Sequence, residues 1–371
     1  MKPSISTHLL DQPALLIVGV QTPQNRSIDP DSYFQEFRNL VRSDGFETFE
    51  EHMIKLRSID SAYFFTRGKL DEIIGLCKSH TIGKVIISEP LSHQQTRNLT
   101  DVLEAEVMDR TELILEIFEK GAQSSEGKLQ VAVALLNHKK ARVAGKGIHL
   151  SQQAGSIGTR GPGETQKEKD LRHLERLISK LDRDLEHLSK VRETQRKKRS
   201  LSALPHISII GYTNAGKSTL LNALTKSSVY AENKLFATLD TTTRELFIDG
   251  SKKGTVSDTV GFIQNLPHEL IEAFKSTLSD LEYAHMLLQV VDLSDKNWRN
   301  HIRVVQGILD ELKVSDTPML YVFNKVDMLN DEERKAFEDQ ASLYQPHVLI
   351  SALSKEGLQP LLSYLREWKP S

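Results

Sequence analysis

The sequence predicts an α/β protein in three parts: a small N-terminal α/β subdomain (residues 1–108), a long antiparallel two-helix arm (109–199) and, after a linker (200–206), a further α/β domain with a mostly parallel sheet (207–371). Three observations carry this prediction. Apolar runs alternate with helical patterns at the start of the chain, the rhythm of a parallel sheet with crossover helices. A leucine seam with alternating steps of three and four runs from Leu171 to Leu188. Past Pro205 an apolar run feeds a glycine-containing loop and then a helical pattern, the layout of a phosphate-binding strand, loop and helix. A length of 371 residues suits two or three domains at roughly 100–200 residues each.

In the first part, "ALLIVGV" (Ala14 to Val20) reads as a buried strand and "DSYFQEFRNLVRSDG" as a helix closed by Gly45. "RGKLDEIIGLCKSH" is a second helix, "KVIISE" a strand, and "LSHQQTRNLTDVLEA" a third helix with Ser92 as its cap. From Asp109 the pattern turns helical, with Leu113 and Ile117, then Leu129, Val133 and Leu136, at helical spacing. The seam residues Leu171, Leu174, Ile178, Leu181, Leu185 and Leu188 form the second helix of the arm.

Between the two arm helices lies a glycine-rich loop (144–164), and no acidic residue occurs from Lys139 to Gly163. Such a stretch buries too little apolar surface to hold one structure and reads as a mobile loop. Its cations, Lys139, Lys140, Arg142, Lys146 and Arg160, suit a phosphate backbone better than a plain solvated linker, and they are candidate nucleic-acid contacts. The second helix adds 12 Lys/Arg against 7 Asp/Glu from Thr165 to Arg199 and ends in "RKKR".

Net charge is only −2, so any attraction to nucleic acid must be local. Cys77 is the single cysteine, which excludes an internal disulfide and a cysteine-rich metal site. No apolar stretch reaches the roughly 18 residues of a membrane span, and the start of the chain lacks the apolar core of a signal peptide. These features predict a soluble cytoplasmic protein, at most peripheral to a membrane.

"GYTNAGKST" supplies G-x-x-x-x-G-K-S as Gly211, Gly216, Lys217 and Ser218, with Tyr212, Thr213, Asn214 and Ala215 forming the loop and Thr219 following it. Glycines let backbone N–H groups approach phosphate oxygens; Lys217 is placed for the β- and γ-phosphates and Ser218 for Mg²⁺. The motif signals a nucleotide but not its base. In "YVFNKVD" a strand delivers Asn324, Lys325, Val326 and Asp327, and the Asp327 carboxylate can accept from both N1–H and the exocyclic amine of guanine. Adenine offers an acceptor at N1 and no amine at C2, a mismatch costing about 1–3 kcal/mol, so GTP is favoured.

In "SDTVGF", Asp258 reads as a Mg²⁺ ligand through water, and Gly261, flanked by Thr259, Val260 and Phe262, offers an N–H to the γ-phosphate. In "FATLD" (Phe236, Ala237, Thr238, Leu239, Asp240), Thr238 reads as a direct Mg²⁺ ligand present only with the γ-phosphate, so both loops are order–disorder switches. Lys217, Thr238 and Gly261 are the catalytic candidates. The late "ISALSKEG" brings Ser351, Ala352 and Leu353 to the base. Phe262 stands where many GTPases carry a water-orienting glutamine, so unaided hydrolysis is predicted to be slow and partner-stimulated. Asn214 is a candidate K⁺ ligand, the ion substituting electrostatically for an arginine finger.

These motifs, together with "RGKLDEI", "SHQQTRNL", "DRTELILEIF", "EGKLQVAVALL" and "GSIGTRGPGETQKEKDLR", resemble the HflX family of ribosome-associated P-loop GTPases from about Leu15 to Leu365. The resemblance implies a GTPase domain behind an α/β subdomain and a two-helix arm. It also implies binding to the large ribosomal subunit, with the arm near the peptidyl-transferase centre and its loop cations as candidate rRNA contacts, and splitting of stalled ribosomes under stress. The cofactors implied are Mg²⁺ and GTP as substrate, and the protein would be monomeric off the ribosome. Thr241 stands where the family usually has proline and Ser156 replaces a glycine. A competing expectation is a regulatory switch with a protein partner, its arm a dimerising coiled coil.

Overall fold

A computed structural model describes residues 14–25, 29–145, 166–200, 204–225, 235–236, 242–264, 266–267, 270–271 and 278–369. The chain divides into two compact units, one made of the residues up to Glu116 with His138–Glu175, the other of Ile117–Asn137 with the residues from Arg176 onward.

The first unit is built on four parallel strands, β1 (Ala14–Gln21), β2 (Glu50–Lys55), β3 (Ile82–Ile87) and β4 (Glu106–Asp109), in the order β2-β1-β3-β4. Strand β1 is an unbroken apolar run because, as a central strand of a parallel sheet, it is covered on both faces. Helix α1 (Pro30–Ser43) starts where Asp29 accepts from the Ser32 N–H at 3.0 Å, with Pro30 supplying a preset φ. Helix α2 (Arg67–His80) has the span read from its sequence. Helix α3 (His93–Leu103) opens on a capping box in which Ser92 and Gln95 each bond the other's backbone N–H. Phe65, Ile73, Cys77 and Leu99 close over Leu16, Val18 and Val85 in one apolar core.

The helical segment differs from its reading in two respects. The pattern from Asp109 is two helices, α4 (Arg110–Gly121) and α5 (Ser125–Gly145), because Ala122–Ser124 interrupts it and the Ser124 hydroxyl caps the new start by accepting from the Gly127 N–H at 2.9 Å. Helix α5 also reaches into the expected loop. Helix α6 (Gln166–Ser200) follows as 35 residues, and all six seam residues are half-buried while nearly all their described neighbours are exposed. Lys140 of α5 pairs with Glu175 of α6 at 3.0 Å, a contact that a hairpin of these two helices allows. The glycine-rich loop itself, with Lys146 and Arg160, lies outside the described residues.

The second unit contains six strands, β5 (His206–Gly211), β6 (Thr242–Ile248), β7 (Ser251–Asp258), β8 (Met286–Asp292), β9 (Met319–Asn324) and β10 (His347–Leu349), ordered β10-β9-β8-β5-β7-β6. All neighbours are parallel except the β6–β7 hairpin. Helices α7 (Lys217–Thr225), α8 (Trp298–Glu311), α9 (Asp331–Glu338) and α10 (Gln359–Glu367) belong to the same unit. Ile207, Ile209, Leu288 and Val322 pack with Leu220, Leu224, Leu361 and Leu365 in one core; Trp298, Phe323 and Phe337 anchor another. The order puts β5 at the point where the chain winds off in both directions, so its carboxyl end opens the crevice in which open α/β sheets bind ligands.

Candidate nucleotide site

The loop after β5 is shaped by close approach. Gly211 (φ +148°) lies so near β8 that a Cβ would sit 2.3 Å from the Val290 carbonyl oxygen, and Gly216 (φ +96°) would place one 2.3 Å from Asn324 Nδ2. Only glycine fits either position. The loop delivers Lys217 and Ser218 as the first residues of α7, whose N-terminal N–H groups favour an anion.

Lys217 is buried, and its ammonium donates to the Tyr212 carbonyl at 2.7 Å. Burial pushes its pKa down to about 8, against the opposing pull of the Asp258 carboxylate. The unfolded chain therefore binds more protons than the folded one between about pH 8 and the ordinary lysine value, and this group's contribution to stability rises with pH across that window. Its effect on catalysis runs the other way. Loss of the Lys217 charge in the free protein should make kcat/KM for GTP fall above about pH 8, while kcat, read with phosphates already bound, holds to higher pH. A pH–rate profile with both parameters falling together would contradict this.

Ser218 Oγ donates to Asp258 Oδ2 at 2.7 Å at the end of β7, and Asp258 is wholly buried. A hydroxyl and a carboxylate side by side are hard oxygen ligands of the kind Mg²⁺ takes together with substrate phosphates and water. The described residues contain no cluster of three or more His, Cys, Asp or Glu, so they form no all-protein cage for a metal. Thr238, with Ala237, Leu239 and Asp240, lies outside the described residues. Phe236 is described, and its ring packs 4.5 Å from that of Phe118 in α4.

The D-x-x-G segment is bonded to the phosphate loop. Phe262 N–H donates to the Gly211 carbonyl at 3.1 Å, Thr213 N–H donates to the Phe262 carbonyl at 2.8 Å, and the Thr259 hydroxyl donates to the Ile209 carbonyl at 2.9 Å. These bonds hold Gly261 over Lys217, where a Cβ would come within 2.8 Å of the ammonium nitrogen. Val260 and Phe262 are buried beside it.

In the N-K-x-D segment, Asn324 ends β9 and bridges two loops: its Nδ2 donates to the Ala215 carbonyl at 2.9 Å and its Oδ1 accepts from the Ala352 N–H at 3.0 Å. Lys325 takes a left-handed conformation (φ +63°) and pairs with Asp292 of β8 at 2.6 Å. A 3₁₀ turn at Val326–Met328 then leaves Asp327 exposed at the rim. Ser351 and Ala352 are buried and Leu353 is 81% exposed beside them. Asn214 is exposed with φ +60°, while Thr213 and Ala215 are buried and Thr219 is half-buried on α7. Sequence reasoning missed Asp292, which holds Lys325, and His301, on which Tyr212 stacks. Neither stands in a motif.

A phosphate loop, a D-x-x-G segment and an N-K-x-D loop at the carboxyl ends of β5, β7 and β9 of one sheet define a P-loop GTPase. Residues 206–325 match a family described as 50S ribosome-binding GTPase, 31–119 the GTP-binding GTPase N-terminal family and 121–199 the GTP-binding GTPase middle region. GTPase HflX of Caldanaerobacter subterraneus subsp. tengcongensis is 41% identical over 349 residues, covering 94% of this chain and 78% of that protein. GTPase HflX of Escherichia coli is 41% identical over 353 residues, covering 95% and 82%. The chain belongs to the HflX family of GTPases and is a GTP-hydrolysing enzyme. A crystal structure of SsGBP in complex with GDP aligns with a TM-score of 0.53 at 23% identity over 95% of this chain and 98% of that one, a likeness of fold.

Proposed function

We propose that the protein is a GTP-dependent factor of the large ribosomal subunit, which docks its arm on rRNA in the GTP state, splits or recycles stalled ribosomes under stress, and leaves on hydrolysis. The match of residues 206–325 to the 50S ribosome-binding GTPases carries this reading. Local charge supports it: Lys139 is exposed on α5, and its neighbours Lys140 and Arg142 pair with Glu175 and Glu112, partners that phosphates would replace. A ribosomal partner implies a cytoplasmic location, and no described helix is long and apolar enough to cross a membrane.

At the nucleotide, Lys217 and the α7 N-terminus bind phosphate charge, Gly261 N–H faces the γ-phosphate, and Asp327 reads guanine. Ser218 and Asp258, with Thr238, hold Mg²⁺, which when bound neutralises charge on the β- and γ-phosphates. Phe262 brings no polar group to an attacking water and is 2% exposed, so hydrolysis without a partner is slow.

The test is GTP turnover by the full chain, alone and with isolated large subunits, at low and physiological salt. Stimulation of at least about tenfold that fades as salt rises is expected, because each phosphate contact contributes a log–log slope of about −0.7 to −0.9. No stimulation at either salt would overturn the ribosomal reading and favour a protein partner. Run in K⁺ and in Na⁺, the same assay tests Asn214 as a K⁺ ligand, since equal rates would remove that role.

A further inference from the structure

Tyr212 is a phosphate-loop residue whose two ends touch different working parts of the site. Its carbonyl holds the Lys217 ammonium at 2.7 Å. Its ring is buried and lies flat on the imidazole of His301 in α8, centroids 3.8 Å apart and planes 8° from parallel. Its hydroxyl accepts the backbone N–H of Gln264 at 2.9 Å, three residues past Gly261. Main-chain bonds already tie Phe262 to Gly211 and Thr213. The segment just beyond Gly261 is thus held by main chain at Phe262, and the Tyr212 oxygen holds the Gln264 N–H.

The phenol oxygen lies on the χ2 axis, so ring rotation leaves it in place, and it is the χ1 rotamer that decides whether it reaches Gln264. His301 fixes that rotamer. A flat aromatic partner, buried in the first turn of α8, lies against one face of the ring and opposes its swing to another χ1 rotamer. A phenylalanine here would keep the stack and leave the buried Gln264 N–H without this acceptor, so the backbone after Gly261 would have to shift to satisfy it.

We infer that Tyr212 and His301 form a positioning pair for hydrolysis, in which the Tyr212 hydroxyl, aligned by the His301 ring, sets the backbone that carries Gly261 toward the γ-phosphate. The inference rests on the placement of Gly261 proposed above. Neither side chain is a catalytic residue, since both act through the main chain of 261–264.

Single-turnover hydrolysis and nucleotide affinity of the full chain test it. Tyr212→Phe should lower the rate about tenfold, the size expected for one lost buried hydrogen bond, while GDP affinity, which does not use the γ-phosphate contact, stays within about twofold. His301→Ala should lower the rate in the same selective way by a smaller factor, and His301→Phe, which restores a flat ring, should recover it. In the double variant Tyr212→Phe/His301→Ala the effects should not multiply. Wild-type hydrolysis by Tyr212→Phe, a parallel loss of GDP and GTP affinity with melting temperature, or multiplicative effects in the double variant would each overturn the inference. Gly261→Ala keeps the two readings apart: if that variant hydrolyses GTP normally, the placement of Gly261 fails irrespective of Tyr212.

Discussion

Gly216→Ala should weaken binding of GDP and GTP alike by about a hundredfold, from the sum of a strained backbone and two broken buried hydrogen bonds. Gly216 has φ +96°, a region that a side chain makes costly by about 1–2 kcal/mol. The new methyl would also stand 2.3 Å from Asn324 Nδ2 and drive that amide off the Ala215 carbonyl and the Ala352 N–H. Asn324 is only 2% exposed, so water does not replace these partners freely. Each lost bond costs roughly 1 kcal/mol, and the total of about 3 kcal/mol, which the free loop avoids by relaxing and which binding must restore, corresponds to two powers of ten in affinity. Gly75→Ala in α2, where an added Cβ meets nothing within 4 Å, should leave binding unchanged and stabilise slightly. Calorimetric titration with GDP checks both variants. A Gly216→Ala protein within about threefold of wild type would show that Asn324 is not a clamp between the phosphate and base loops.

The same residue shows what a sequence carries and what it hides. "NKVD" at the end of an apolar run announces Asn324, because strand ends and base recognition both leave local traces. That its amide joins Ala215 to Ala352 is a fact of three strand ends meeting, and no local pattern encodes it. His301 under Tyr212 and Asp292 beside Lys325 are hidden for the same reason. In the fold, the helix capped by Ser92 was legible, and so was Arg67–His80 to the residue, although Thr66 makes no side-chain cap bond there. Strand β2 was not, since in "EEHMIK" only Ile54 is fully buried and the period of two is lost. Four-residue β4 is too short to show any period. The break between α4 and α5 did leave a trace, Ser124 before an acidic turn, but the apolar spacing on either side reads as one continuous helix.

Asp327→Asn should exchange the base that the enzyme accepts. The Asp327 carboxylate offers two acceptors, matched to the N1–H and C2 amine of guanine, and an asparagine amide in its place offers one acceptor and one donor. Guanine then meets a donor with its own donor, and affinity for GTP should fall by about a hundredfold or more, as expected when a buried base edge loses one hydrogen bond and faces a second like group. Xanthine carries N1–H beside a C2 carbonyl, which is the complement of the asparagine amide, so XTP should become the better substrate. Asp327 is exposed at the rim after the 3₁₀ turn, so the change should leave melting temperature unaltered and the loss reads as recognition. Lys217, Ser218 and Gly261 are untouched, which predicts a kcat for XTP near that of the wild type for GTP. Competition of GTP and XTP for the variant decides the matter: continued preference for GTP would take guanine recognition away from Asp327 and leave the Asn324 loop as a structural clamp alone.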